Sequence, residues 1–159
     1  MYKNRSRGFT LIELLVVIAI IGILSAVVLA ALNTARSKGQ DAAIMSDLDS
    51  IRVQAELYYS DNGNSYGSDN QTWVQAGGCT ATANTMWEDP TIQSAIAGAD
   101  STNGTAKLVA CASTATSYVA VASLVAANGG TAYQCVDSNG KAETVTTAAF
   151  PAAAISQCP

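Results

Sequence analysis

LLVVIAIIGILSAVVLAAL, the stretch from Leu14 to Leu32, contains nineteen residues and no charged side chain. As a helix rising about 1.5 Å per residue, it would reach roughly 28 Å, close to the thickness of a bilayer's hydrocarbon core. Lys3, Arg5 and Arg7 come just before it. Because basic residues tend to stay on the cytoplasmic side of a membrane, the sequence predicts one spanning helix with its N-terminus in the cytoplasm and the remaining chain outside.

A secretory signal peptide is the competing interpretation of this stretch, since basic residues before an apolar segment are typical of one. The run is longer than the usual h-region of about 7–15 residues, however, and a carboxylate, Glu13, lies at its leading edge. An amphipathic pattern also continues beyond the run without a break. Small residues at Ser25-Ala26 and Ala30-Ala31 keep a signal-peptide cleavage site open as the alternative.

The residues from Gly8 to Leu14 read GFTLIEL, and with the apolar run after them they resemble the N-terminus of type IV pilins and of the pseudopilins of type II secretion. The resemblance covers only this N-terminal part of the chain. It implies that a prepilin peptidase cuts between Gly8 and Phe9 on the cytoplasmic side and methylates the new N-terminal Phe9. It also implies other pilin subunits, an assembly ATPase and a membrane platform protein as partners.

Two residues of this motif have a physical rationale of their own. Gly8 presents an unhindered backbone to a protease, whereas a larger side chain would crowd the bond to be cut. Glu13 is an ionisable group at the margin of a lipid span, which is costly and requires a partner, and its own neighbours offer none. In a filament of this family, the amine created at Phe9 of one subunit would approach Glu13 of an adjacent one and neutralise both charges. The alternative is that Glu13 lies solvated among the lipid headgroups, without a role.

An amphipathic helix is predicted to continue from residue 33 to residue 60. Apolar residues recur there at steps of four and three and form one stripe: Ile44, Leu48, Ile51, Ala55 and Tyr58. The resemblance implies that the C-terminal half of the same chain covers this stripe; a coiled-coil partner is the alternative, although the heptads are few. The residues after the stripe, DNGNSYG from Asp61 to Gly67, tolerate turns and are expected to end the helix.

Residues 61–159 are rich in Ala, Thr, Ser, Gly and Asn and are predicted to form a small globular head. Asp89-Pro90 reads as a helix N-cap and a proline at the first helical position, followed by a short helix of about two turns. Short β-branched runs separated by glycine-containing turns predict an antiparallel meander, which makes the fold class α+β. The predicted strands are Lys107–Ala112, Ser117–Val125, Thr131–Val136 and Lys141–Thr146, with turns at Gly129-Gly130 and Ser138-Asn139-Gly140.

Four cysteines lie on the side predicted to be outside the cytoplasm: Cys79, Cys111, Cys135 and Cys158. An even count in an oxidising setting indicates two disulfides, for which three connectivities are possible. Cys79–Cys111 with Cys135–Cys158 is preferred, because the second bond would tie the last residues onto the sheet much as the C-terminal loops of pilins are tied. A zinc site is the alternative, but the chain has no CxxC pair and no histidine.

Other candidate sites are weaker. Asp61-Asn-Gly-Asn and Asp137-Ser-Asn-Gly place oxygen ligands beside glycine and could contribute to a calcium loop, as in some pseudopilins, although plain turns explain both. Trp73, Trp87 and Tyr66 are candidate contact residues, but aromatic side chains of a small domain are more often buried. Neither a metal ligand set nor a cofactor is therefore predicted.

Composition argues against catalysis and against nucleic-acid binding. The chain has no histidine to act as a base near neutral pH, no GxSxG motif and no phosphate-binding glycine loop. Of its eight basic residues, three lie in the leader, so cleavage would leave five against twelve acidic side chains, a formal charge of −7. Such a surface repels phosphate. We expect neither an enzyme nor a nucleic-acid-binding protein.

The sequence thus predicts a leader at 1–8, a transmembrane and filament-core helix at 9–32, its amphipathic continuation at 33–60 and a head at 61–159. The predicted function is a structural subunit of a type IV pilus-like filament: a single-pass precursor in the cytoplasmic membrane, then part of an extracellular or periplasmic filament. A pseudopilin of a type II secretion or competence machine is the first alternative. An uncleaved, membrane-anchored binding or adhesion module is the second.

Overall fold

A computed structural model describes residues 8–67, 79, 81, 83–103, 109–125, 132–146 and 157–159. The chain divides into two compact units, residues 1–36 and 37–159. Its elements are helix α1 (Leu11–Asp61), a 3-10 turn (Met86–Glu88), helix α2 (Pro90–Asn103) and strands β1 (Ala110–Ser113), β2 (Tyr118–Ser123), β3 (Ala132–Asp137) and β4 (Ala142–Thr146). The expected α+β class is confirmed.

The apolar stretch in the first unit forms the N-terminal part of α1. Among the described residues, α1 is the helix that is long and apolar enough to cross a membrane, and none of its most apolar window is buried within the chain. An internal core therefore does not account for these side chains. A signal sequence near an N-terminus has the same length and composition, so this property alone does not separate a permanent span from one that is removed.

The predicted apolar stripe of α1 lies in the second unit and is buried there. Ile44, Leu48, Ile51 and Ala55 have no exposed surface, and Tyr58 packs half-buried at the edge of the same cluster. The residues that cover the stripe come from later in the same chain, as expected, and include Met86, Trp87, Ile92, Tyr118 and Val136. Complete burial of one large aliphatic side chain stabilises the folded state by about 1.5–3 kcal/mol, so packing of this stripe is the main interaction that holds the helix on the head.

Helix α1 ends in the predicted turn. The Asn62 amide still donates to the Tyr58 carbonyl oxygen, and Gly63 and Asn64 then take positive φ angles of 69° and 60°. Gly67 also has a positive φ, 76°, and a Cβ placed on it would lie 2.3 Å from the Asn84 carbonyl oxygen. Glycine is therefore required at position 67 for both its backbone conformation and its close contact.

Helix α2 begins as predicted. The Asp89 carboxylate caps it, with Oδ1 accepting from the Thr91 and Ile92 amides at 2.8 and 3.2 Å. The predicted length of about two turns is wrong, because the helix has 14 residues. Gly98 lies within this helix and lets α2 approach α1: a Cβ there would lie 2.8 Å from Asp47 Oδ2.

The four strands form one antiparallel meander in the order β1-β2-β3-β4, as predicted. Cys111 pairs with Ala120 across β1 and β2, and Val121 with Cys135 across β2 and β3. The turn at 138–140 is present, with Gly140 at φ 79°. Part of the first predicted strand and the turn at Gly129-Gly130 lie outside the described residues.

Strand β2 is buried on both faces of the sheet. Its Tyr118, Ala120 and Ala122 belong to the cluster that contains the α1 stripe. The alternate residues Val119 and Val121 belong to a second cluster, which also contains Cys135, Val145 and Cys158. Successive side chains of a strand point to opposite faces, so the sheet separates a helix-covered face from a smaller face closed by residue 158.

Candidate processing and assembly site

The predicted cleavage site lies just outside the first turn of α1. Gly8, Phe9 and Thr10 are non-helical and exposed, and the helix begins at Leu11. A Cβ placed on Gly8 would meet no atom within 4 Å, and Phe9 is 78% exposed. Within the described part of the chain, nothing shields the bond between Gly8 and Phe9 from a protease.

Glu13 lies in the first turn of α1 and has a partner in its own chain. Its Oε2 atom accepts hydrogen bonds from the Thr10 amide at 2.9 Å and from the Thr10 hydroxyl at 2.6 Å. The Glu13 amide in turn donates to Thr10 Oγ1 at 3.3 Å. The expectation that neighbours of Glu13 offer it no partner is therefore wrong. The sequence signal was present, because Thr followed three residues later by Glu is the capping-box pattern.

This capping box leaves part of the Glu13 carboxylate available. Both hydrogen bonds of the carboxylate go to Oε2, and no donor among the described residues reaches Oε1. Cleavage after Gly8 would leave the Thr10 amide intact, because that amide belongs to the bond between Phe9 and Thr10. The cap at the helix start and an interaction of Oε1 with a further cation are therefore compatible.

The apolar surface of the first unit is continuous around the helix. Every Leu, Ile and Val of α1 from Leu11 to Leu32 is between 47% and 81% exposed. Contiguous exposed apolar surface larger than a few hundred Å² marks an interface with membrane or protein. This part of α1 is therefore a surface that requires an apolar environment from outside the chain.

The cysteines are joined in two disulfides, Cys79–Cys111 and Cys135–Cys158, which is the pairing preferred from the sequence. The Cα atoms are 5.4 Å apart in the first and 5.9 Å in the second, within the range of ordinary disulfides. The first bond ties Cys79 to the edge strand β1, and the second ties residue 158 to the inner strand β3. Both bonds therefore fasten loop segments to the sheet.

Two of the three candidate contact aromatics are buried, and the third, Trp73, lies outside the described residues. Trp87 has no exposed surface, and its Nε1–H donates to the Ser113 hydroxyl at 3.0 Å. The Tyr66 hydroxyl donates to Glu56 Oε1 at 2.8 Å, and burial together with this bond raises the pKa of Tyr66. Both side chains therefore serve the core, which is the more common role of aromatic residues in a small domain.

The two turns considered for calcium differ in how their oxygens are used. Asp137 is buried, and both of its carboxylate oxygens accept backbone hydrogen bonds. Asp61 is the last residue of α1 and is exposed. Among the described residues, no three Cys, Asp or Glu side chains come together in a group that could hold a metal ion.

Comparison with known proteins places the N-terminus in a defined class. Residues 3–29 match the family described as the prokaryotic N-terminal methylation motif. The chain is 44% identical over 75 residues to the type IV wide pilus major component PilA4 of Thermus thermophilus, a match that covers 46% of this chain and 56% of that protein. No solved structure gives a significant match.

Two further relatives come from different systems. The fimbrial protein EcpC of Eikenella corrodens is 36% identical over 104 residues, covering 65% of this chain and 62% of that protein. The type II secretion system core protein G of Dickeya chrysanthemi is 37% identical over 60 residues, covering 38% and 39%. The chain thus spans about half the length of the curated relatives it matches. It carries the prepilin-type N-terminus of the type IV pilin and pseudopilin family.

Proposed function

We propose that this chain is a prepilin, the precursor of a structural subunit that assembles through its apolar N-terminal helix into a type IV pilus-like filament. The observation that carries the proposal is the exposed apolar part of α1, Leu11 to Leu32, which overlaps the methylation motif at residues 3–29. The corresponding layout is a leader at 1–8, a membrane and filament-core helix at 9–32, its continuation at 33–60 and an extracytoplasmic head at 61–159.

The proposed processing step removes residues 1–8. Gly8 offers a protease an unhindered backbone, and the exposed, non-helical conformation of residues 8–10 leaves room for it. Prepilin peptidase would cut on the cytoplasmic side and methylate the new amine at Phe9. Until then the precursor is a single-pass protein of the cytoplasmic membrane, with residues 33–159 outside.

The proposed assembly step pairs Glu13 of one subunit with the Phe9 amine of the next. Thr10 holds Glu13 Oε2 and fixes the carboxylate, while Oε1 faces no donor among the described residues. An ion pair at about 4 Å is worth about 4 kcal/mol at an effective dielectric constant of about 20, so it can select the register of otherwise uniform apolar helices. An assembly ATPase and a membrane platform protein are the further proposed partners.

We assign no catalytic step, nucleic-acid contact or cofactor to the chain. The function needs only a membrane helix, a cleavable leader and a stable head. Among the residues that the structure describes in the head, Asp137 is the buried charged residue, and its carboxylate is satisfied by backbone amides.

A pseudopilin of a type II secretion or competence machine is the second candidate, and the similarity to core protein G favours it. It would use the same processing and the same helix but form a short filament. An uncleaved, membrane-anchored binding or adhesion module is the third candidate. It would keep residues 1–8 and would stay in the membrane without assembling into a filament.

Two substitutions test the processing and assembly steps in cells that express the full chain with a prepilin peptidase. Gly8→Leu should leave the leader uncut, whereas Gly39→Leu, at an exposed glycine within α1, should be cut normally. Glu13→Gln should be cut but should reach sheared filaments at least tenfold less than the unmodified chain. Normal cleavage of Gly8→Leu would contradict the processing step, and unreduced filament incorporation of Glu13→Gln would contradict the ion pair.

A further inference from the structure

Asp137 is a buried carboxylate at the end of β3 whose oxygens are divided between two backbone segments. It is 1% exposed. Its Oδ1 accepts from the amides of Asn139 and Lys141 at 2.9 and 3.0 Å and so closes the turn between β3 and β4. Its Oδ2 accepts from the Cys158 amide at 2.9 Å. One side chain thus orders the turn and also holds the segment 157–159.

The disulfide at the same place holds that segment a second time. Cys135 lies two residues before Asp137 in β3 and bonds to Cys158, with 5.9 Å between the Cα atoms. Cys158 is 8% exposed and packs with Val119 and Val121 on the smaller face of the sheet. Residue 158 is therefore fastened through its side chain to Cys135 and through its amide to Asp137.

We propose that Asp137 is a positioning residue for the Cys135–Cys158 disulfide: its carboxylate holds Cys158 beside Cys135, favours closure of this bond and opposes its reduction. The physical basis is reciprocity. If the disulfide strengthens the hydrogen bond from Cys158 to Asp137, the hydrogen bond must strengthen the disulfide by the same factor. A buried hydrogen bond from a backbone amide to a carboxylate is among the stronger kinds.

The closure step is a thiol–disulfide exchange with an external disulfide, RSSR, such as a disulfide oxidase or oxidised glutathione. One thiolate of the pair attacks RSSR and releases one RS⁻, and the second thiolate then attacks the mixed disulfide and releases the other. The two cysteine thiols lose two protons and two electrons in total, and RSSR becomes two RSH. Asp137 takes no part in the exchange; it only keeps residue 158 within reach.

The other disulfide provides an internal control. Cys79 bonds to Cys111 at β1, and no carboxylate among the described residues accepts a hydrogen bond from either of these two residues. Removing the Asp137 carboxylate should therefore affect one disulfide of the molecule and leave the other unchanged.

The test uses the full chain in detergent micelles, equilibrated with mixtures of reduced and oxidised glutathione. Trapped thiols of each pair are counted by peptide mass spectrometry. Asp137→Asn keeps the size of the side chain and one acceptor oxygen for the turn, but it presents an NH₂ group to the Cys158 amide. Asp49→Asn is the matched control, since Asp49 is an exposed carboxylate paired with Arg52.

For Asp137→Asn we expect the equilibrium constant for forming Cys135–Cys158 to fall about tenfold, equivalent to about 30 mV for this two-electron couple. Cys79–Cys111 should shift by less than twofold, and Asp49→Asn should change neither bond. An unchanged Cys135–Cys158 equilibrium in Asp137→Asn would overturn the proposal. So would an equal fall at both disulfides, because that result would indicate general loosening of the head.

A second measurement covers the case in which Asp137→Asn does not fold. Amide hydrogen exchange at Cys158 is compared between the unmodified oxidised chain and Cys135→Ser, which removes the disulfide and leaves Asp137 in place. If the hydrogen bond from Cys158 to Asp137 and the Cys135–Cys158 disulfide are coupled, the Cys158 amide should be strongly protected from exchange in the oxidised chain. Its protection should be at least tenfold weaker in Cys135→Ser. Equal protection in the two proteins would show that the hydrogen bond and the disulfide are independent.

Discussion

Asp89 links α2 to the C-terminal part of α1, so replacing it by alanine should lower the free energy of unfolding by a predictable amount. Its Oδ1 caps α2, and its Oδ2 accepts from Gln54 Nε2 of α1 at 3.1 Å. Loss of an N-cap costs about 1 kcal/mol. Loss of a part-buried hydrogen bond costs about 1 kcal/mol more. For Asp89→Ala we therefore expect the free energy of unfolding to fall by about 2 kcal/mol in total, which corresponds to a melting temperature lower by about 8 °C.

The assay is equilibrium unfolding of the full chain in micelles with guanidinium, followed by the fluorescence of buried aromatic residues such as Trp87. Asp49→Ala removes an exposed carboxylate from α1 and should cost less than about 0.5 kcal/mol. Gln54→Ala should cost about half as much as Asp89→Ala, and the double variant should show a coupling energy of about 1 kcal/mol. If Asp89→Ala costs no more than Asp49→Ala, or if the coupling energy is zero, the reasoning is refuted.

Three further substitutions test the core, the helix contact and the turn. Leu48→Ala should lower the free energy of unfolding by about 2–5 kcal/mol, because Leu48 is fully buried in the α1 stripe, whereas exposed Leu57→Ala should cost under about 1 kcal/mol in the same denaturation assay. Burial raises the pKa of Asp47, so the ionised form of this carboxylate opposes folding above that pKa, and Asp47→Asn should be more stable than the unmodified chain at pH 7. This difference in stability should shrink as the pH falls through the raised pKa, and a constant difference from pH 7 to pH 3 would contradict the raised pKa of Asp47. Gly67→Ala should lower the melting temperature of the head more than Gly63→Ala, because both glycines have positive φ but only a Cβ at position 67 would collide with backbone atoms. Equal melting temperatures of the two variants would show that the collision is relieved without cost.

The parts of the fold that were predicted correctly are set by periodic patterns of many residues or by signals from adjacent residues. The α1 stripe could be read from Ile44 to Ala55 because the spacing of apolar residues matches the helical repeat over several turns. The meander followed from β-branched runs and glycine turns, and the cap of α2 followed from Asp89-Pro90. Such patterns average over many contacts, so one tertiary contact seldom overrides them.

The features that were missed depend on single contacts. The predicted length of α2 was too short, and the close approach of Gly98 to Asp47 inside this helix is a tertiary contact that the sequence does not reveal. The role of Asp137 could not be read either, because the Cys158 amide it accepts from comes 21 residues later in the chain. The bond between Thr10 and Glu13 is different, because its capping-box signal, Thr followed three residues later by Glu, is local and can be read from the sequence.

If the chain is cut after Gly8 and enters a filament, the mass of its N-terminal peptide reports both events. Sheared surface material and membranes from the native host are digested separately, and their N-terminal peptides are sequenced by mass spectrometry. We expect the N-terminal peptides from the sheared material to begin at an N-methylated Phe9. If only chains that still carry the residues before Phe9 are found, and all of them stay in the membrane fraction, the filament-subunit account is contradicted and the anchored module is the better explanation.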